Sequence, residues 1–200
     1  MGEAPGRTIL EADRIATIVA DLGRAITGTY RDSSRELVVV GLLKGSFVFM
    51  ADLVRAIELP LRVDFMVVSS YGAGTHSGGV KIVMDLGESI EGKDVLLVED
   101  IIDTGATLAT VLELLRGRDP ASLRICTLLN KPSRREVRIP IDFKGIDIPD
   151  EFVCGYGLDY AHRYRNLPYV ATIEEEAPRG RGDGGRCGED LDRGKPGEPG

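Results

Sequence analysis

The chain has 200 residues, enough for one domain with a hydrophobic core. Hydrophobic residues make up 42% and charged residues 28%, the balance of a soluble globular protein, and no apolar run approaches the roughly 20 residues that span a bilayer. A formal net charge of −7 excludes nucleic-acid binding by bulk positive charge, though not by a local basic patch.

The N-terminal stretch MGEAPGRTILEADRIA carries acids where a secretory signal carries bases. Gly6 stands where a myristoylation signal needs Ser or Thr, so neither targeting signal is expected. Ile15, Ile18, Val19, Leu22 and Ile26 recur at helical spacing and predict an amphipathic helix over 9–26. LVVVGLL, 37–43, reads as a strand buried on both faces. KGS follows, and Phe47, Met50, Val54 and Ile57 predict a second helix. LRVDFMVVSS, 61–70, is a strand, YGAGTHSGG, 71–79, a polar glycine-rich loop, and VKIVMDL, 80–86, extended again. DVLLVED, 94–100, is a strand, ATLATVLELLR, 106–116, a helix, and LRICTLLN, 123–130, a strand. VCGYGLD, 153–159, and YVATI, 169–173, read as later short strands.

Alternating strands and helices predict an α/β domain over 1–177, a mostly parallel twisted sheet flanked by helices. Ligands of such sheets bind beyond the carboxyl ends of the strands. That rule puts KGS, EDIIDTGAT and NKP on one rim. From Pro178 the chain turns to Gly, Pro and charge, which cannot offset ordering entropy, so 178–200 is expected to be a disordered tail. Its Arg181-Gly182-Asp183 reads as a product of biased composition. The three cysteines are too far apart for a zinc site or a disulfide framework. Cys126 and Cys154 sit in apolar runs as core residues, Cys187 in the tail, and a reducing cytoplasm is the expected compartment.

VLLVEDIIDTGAT, 95–107, concentrates the chemistry. An apolar strand stops at Glu99 and Asp100, a third acid follows at Asp103, and a helix begins near Ala106. The turn offers backbone N–H groups from Asp103 to Thr107 and the hydroxyls of Thr104 and Thr107, at a helix start with partial positive charge. Such a turn is a phosphate cradle, and Gly105 permits close backbone approach. Glu99 and Asp100 cannot face the same phosphate without repulsion; they suit hydroxyls or Mg2+. A ligand with vicinal hydroxyls and a phosphate is a ribose 5-phosphate. The bland alternative makes the acids exposed strand-end charges and Thr104 a simple cap.

These residues resemble the phosphoribosyl-pyrophosphate motif of the type I phosphoribosyltransferases, and Asp103 is what the hypoxanthine-guanine branch carries at its place. Four further segments are similar to that branch. LLKGS, 42–46, resembles its pyrophosphate loop, which implies contacts from Lys44 and Gly45 and a cis Leu43–Lys44 peptide. SSYGAGTHSGGVKI, 69–82, resembles a mobile loop marked by Ser70 and Tyr71. NKP places Lys131 where the family's lysine meets the purine 6-oxygen. EFVCGYGLDYAHRYRNLPYV, 151–170, resembles a hood, built with the N-terminal segment, in which Phe152 stacks on the base and Val153 reads it through backbone groups. There Asp159 would hold a second Mg2+ beside the one at Glu99 and Asp100, and Arg165 would meet pyrophosphate.

The resemblance implies Mg-dependent transfer of the phosphoribosyl group to N9 of hypoxanthine or guanine, in purine salvage. Asp103 handles the N7 proton, Ala106 gives only its N–H to the phosphate, and Lys131 selects a 6-oxopurine. Implied partners are phosphoribosyl pyrophosphate and the base, with no nucleic acid or membrane, in a homodimer or homotetramer. A xanthine-preferring enzyme and an RNA-binding regulator on the same fold are the alternatives. His76, in a loop without fixed partners, and His162, in the hood, read as solvated residues. GAGTHSG precedes a strand instead of opening a helix, which argues against a dinucleotide site.

Overall fold

The computed structural model of the chain describes residues 3–70 and 80–175. The loop 71–79, with Tyr71 and His76, and the segment 178–200, with Cys187, lie outside the described residues. In chain order the elements are β1 (Glu3–Leu10), α1 (Ala12–Tyr30), β2 (Leu37–Leu43), α2 (Phe47–Ala56), β3 (Leu61–Ser70) and β4 (Val80–Met84). β5 (Asp94–Ile102), α3 (Ala106–Arg116), β6 (Ser122–Asn130), a short 3-10 turn at Pro132–Arg134, β7 (Phe143–Asp147), β8 (Val153–Cys154) and β9 (Val170–Glu175) complete the set.

Six strands form one sheet in the order β4-β3-β2-β5-β6-β7. All neighbours are parallel except β3 and β4. The valine-rich β2 and β5 sit at the centre because both their faces are apolar. Val39, Leu96, Val98 and Cys126 face α1 and α2, against Ile15, Leu22, Phe49 and Leu53. Val38, Val40, Val95, Leu97 and Ile125 face α3, against Leu108, Val111 and Leu115. β1, β9 and β8 form a separate antiparallel sheet, joining the N-terminal segment to the chain's later strands. No described helix is long and apolar enough to cross a membrane. Cys126 and Cys154 are free and buried, packed as small core residues.

Several elements differ from the sequence reading. The first helix is Ala12–Tyr30, and the residues before it form β1. β1 is held by pairing with β9, more than 150 residues away, a partner that local periodicity cannot reveal. FKGID, β7, is too short and polar to read as a strand, yet it pairs with β6. VCGYGLD is extended only at Val153–Cys154. Beyond it Tyr156, Ala161, His162 and Tyr164 all take positive φ, and the chain folds into successive turns.

The difference that matters most is in β5. The strand runs on to Ile102, two residues past the end at Asp100 that the sequence predicts. Strict alternation would put Ile101 with Val95 and Leu97. Instead Ile101 packs with the α1/α2 core and Ile102 with the α3 core, so the alternation breaks between Val98 and Ile101. The two isoleucines anchor the strand end to opposite cores and thereby hold in place the acids Glu99 and Asp100 just before them.

Candidate active site

Three connections meet at the carboxyl ends of the parallel strands: Lys44–Ser46 after β2, Asp103–Gly105 after β5, and Lys131–Arg135 after β6. The Leu43–Lys44 peptide is cis. The Ser46 hydroxyl is buried and donates to Leu42 O at 2.6 Å. Gly45 lies directly against Asp100, and a Cβ there would overlap the carboxylate. Lys44 is exposed on the same turn.

After β5, Gly105 is the residue preceding α3, at φ +85°, and contributes no side-chain cap. Its Cβ, if present, would lie 2.8 Å from Ile139 Cδ1. The N–H groups of Glu136 and Val137 both donate to Thr104 O, at 3.0 and 3.1 Å, bracing the turn from behind. The first turn of α3 has N–H groups without intrahelical partners, as every helix start does. Ala106 N–H, expected at the phosphate, here donates to Thr104 Oγ1 at 3.3 Å. Gly105 itself supplies no cap, and the remaining donors, including those of Gly105 and Thr107, suit an anion supplied from outside.

Two cavities open on this rim. One, of about 290 Å³, is bordered by Gly45, Glu99, Asp100, Thr107, Asp159 and Arg165. The other, of about 210 Å³, is bordered by Glu99, Asp103, Thr104, Gly105 and Thr107. Glu99 and Thr107 line both, so the cavities adjoin. A larger one of about 540 Å³ lies between α1, α2 and residues 165–168, walled by Ile15, Val19 and Val48 among others, and shares Arg165. Its apolar walls offer no anion cradle.

Burial, reinforced by the neighbouring Asp100, holds the Glu99 carboxyl well above its usual range. Its Oε2 is buried with no hydrogen-bond partner. Burial pushes Asp100 up to about 6, against the stabilising N–H of Ile101 and the charge of Arg165. The unpartnered Glu99 oxygen lacks a donor or a positive charge, the chemistry that a polyol or a cation supplies. Arg165 donates to Gly157 O at 2.6 Å and pairs with Asp159. Asp159 also accepts the His162 N–H at 2.9 Å, while the His162 ring is exposed. Glu99 and Asp100, expected at one Mg2+, and Asp159, expected at a second, border one cavity. Among the described residues no three His, Cys, Asp or Glu side chains are grouped to hold an ion. Glu99 and Asp100 fit a cation that brings other ligands with it, and Asp159 pairs with Arg165 beside them.

On the far side, Lys131 is 6% exposed and its Nζ stands 5.9 Å from the centroid of the Phe152 ring, which is itself 77% exposed. Lys131 N–H donates to Ile102 O at 3.0 Å, tying it to the end of β5. Val153 follows Phe152 and pairs with Thr172 in the smaller sheet. Ser70 ends β3, where the chain leaves the described residues. The sequence reading missed two partners. Arg134 Nε meets Asp103 Oδ1 at 3.2 Å, and Tyr156 Oη donates to Asp52 Oδ2 at 2.5 Å. The basic pair after NKP was the only visible signal for the first; the second has none, because it joins residues 104 apart.

A family model for the phosphoribosyl transferase domain matches residues 7–161. The hypoxanthine phosphoribosyltransferase of Salmonella typhimurium is 62% identical over 156 residues, 78% of this chain and 88% of that protein. The hypoxanthine-guanine phosphoribosyltransferase of Staphylococcus epidermidis is 53% identical over 169 residues, 84% of this chain and 93% of that protein. A crystal structure of a hypoxanthine phosphoribosyltransferase from Staphylococcus aureus superposes with a TM-score of 0.81 at 50% identity, covering 85% of this chain and 92% of that one. With its braced anion turn, its two acids at the end of β5 and its lysine beside an aromatic ring, the chain belongs to the phosphoribosyltransferase family, among the hypoxanthine and hypoxanthine-guanine phosphoribosyltransferases.

Proposed function

We propose that the chain transfers the 5-phosphoribosyl group of phosphoribosyl pyrophosphate to N9 of hypoxanthine or guanine, releasing pyrophosphate, in purine salvage. The observation that carries this reading is the pair of adjoining cavities sharing Glu99 and Thr107: an anion turn on one side, Arg165 and the Gly45 turn on the other. A ribose carrying a phosphate at C5 and a diphosphate at C1 spans those chemistries.

The 5-phosphate takes the N–H groups and hydroxyls of the Asp103–Thr107 turn. Glu99 and Asp100 accept from the ribose hydroxyls, which the unpartnered Glu99 Oε2 and the raised pKa of both carboxyls support. Lys44 and Arg165 offset charge on the departing diphosphate. Mg2+ bound with the diphosphate, held by Glu99 and Asp100, would supply further positive charge there. Phe152 presents an exposed ring for stacking, and Lys131 donates to the purine 6-oxygen. A buried donor of this kind rejects adenine, whose 6-amino group offers it no acceptor. Asp103 accepts the N7 proton as the N9–C1 bond forms. Ser70 and Tyr71 open the loop that excludes water from the reacting carbon.

The assembly is a homodimer or homotetramer, as the family's habit suggests, and the compartment is the cytoplasm, which two buried free thiols support. The function is tested by incubating the protein with phosphoribosyl pyrophosphate and hypoxanthine, with Mg2+ and with excess chelator. Inosine monophosphate should form only in the first; none in either would refute the reading.

A further inference from the structure

Arg134 has no part in the roles assigned above. It closes the 3-10 turn after β6, with its N–H bonded to Lys131 O at 3.2 Å. Its Nε lies 3.2 Å from Asp103 Oδ1 and its Nη1 3.7 Å from Asp150 Oδ2. It thus spans the start of the anion turn and the segment that leads into Phe152.

The turn contains an electrostatic conflict. Asp103 borders the same cavity as Thr104, Gly105 and Thr107. A phosphate in that cavity carries between one and two negative charges, and an ionised carboxylate at its rim opposes its entry. The start of α3 offers only about half a positive charge in return. The structure places the Arg134 guanidinium directly on that carboxylate, with Arg135 near enough to feel its charge. Asp150 holds the same guanidinium from another side and keeps it beside the turn.

We infer that Arg134 is a positioning residue that holds the Asp103 carboxylate on its guanidinium and away from the 5-phosphate, so that one carboxylate can stand next to a phosphate and still serve the purine. The inference rests on the reading of Asp103–Thr107 as a phosphate cradle. Arg134 need not touch the substrate. It acts through Asp103, and its effect on phosphate binding exists only while Asp103 is charged.

That condition supplies the test. Ribose 5-phosphate binding is measured by calorimetry for the wild type, Arg134→Gln, Asp103→Asn and the double variant, with a thermal transition recorded to show that each is folded. Arg134→Gln should weaken binding about threefold, the size of a half-exposed ion pair, and the loss should shrink as salt rises. Arg134→Lys should recover part of it, keeping the charge without the planar fork. In the Asp103→Asn background, Arg134→Gln should change nothing. Equal losses in both backgrounds would show that Arg134 meets the sugar phosphate directly and would overturn the inference alone. No loss in either background would overturn it too. A folded wild type that binds no ribose 5-phosphate would remove the cradle itself, and the inference with it.

Discussion

Gly45 and Asp100 are in contact across the site, and the contact leaves no room for a side chain at position 45. The turn after β2 and the acid at the end of β5 are therefore positioned by each other. Gly45→Ala should displace the Asp100 carboxylate or the turn, at a cost of about 1–3 kcal/mol in stability. Misplacement on the ångström scale should lower kcat/KM for phosphoribosyl pyrophosphate by as much as about a hundredfold. Steady-state kinetics alongside thermal unfolding checks both; unchanged kinetics would mean that the two groups are not coupled.

Asp100 sets a pH dependence of stability. A carboxyl that is harder to ionise when folded binds more protons in the folded state. Stability therefore falls as pH rises from the ordinary 3.8 through about 6, and the cost is complete above that range. The gap between those values corresponds to an upper bound of roughly 3 kcal/mol. Asp100→Asn should raise the Tm of the ligand-free protein by about 5 °C at pH 7.5 and by much less at pH 4. It should also lose activity, the usual opposition between stability and a strained site. Calorimetry at the two pH values measures this; a pH-independent difference would contradict it.

Lys131 and Phe152 should carry recognition of the base. Lys131→Ala removes a buried charged donor, worth about 1.5–3 kcal/mol to a hydrogen-bonded partner, so the KM for hypoxanthine should rise roughly ten- to a hundredfold. Phosphoribosyl pyrophosphate binding should be spared. An unchanged hypoxanthine affinity would remove Lys131 from the base site.

Tyr156 ties the segment bearing Asp159 and Arg165 to α2 through Asp52. Burial, with Asp52 as acceptor, raises the phenol's pKa, so the bond stays intact across the physiological range. Tyr156→Phe should cost about 1 kcal/mol of stability. The KM for phosphoribosyl pyrophosphate should rise while that for hypoxanthine holds. Equal changes in both would argue for a general loss of packing.

Asp103→Asn keeps the backbone cradle while removing the proton acceptor. Turnover should fall about a hundredfold or more, with phosphoribosyl pyrophosphate binding nearly intact. Near-normal turnover would end the proton-transfer role.

Much of this architecture was legible in local sequence. The buried central strands announce themselves as valine runs, and α3 as an apolar period after a glycine turn. The phosphate turn was readable because its chemistry is contiguous: strand end, glycine and hydroxyls lie within nine residues, from Glu99 to Thr107. What escaped depends on distance. β1 needs β9, β7 needs β6, and the Tyr156–Asp52 bond needs two segments that only the fold brings together. The break in alternation at Asp100 escaped for another reason. Ile101 and Ile102 are apolar on either reading, and only their division between two cores shows that the strand continues. The Arg134–Asp103 pair was within reach, but a basic run reads first as a solvated face.

The central claim is selective transfer to a 6-oxopurine, and a purine panel tests it most directly. The protein, phosphoribosyl pyrophosphate and Mg2+ are combined separately with hypoxanthine, guanine, xanthine and adenine, and nucleotide formation is followed for each. The account predicts efficient nucleotide formation from hypoxanthine or guanine, and adenine slower by about 10⁴-fold, the discrimination of a site built on a buried hydrogen-bond donor. Comparable rates with adenine, or a clear preference for xanthine over both hypoxanthine and guanine, would contradict it.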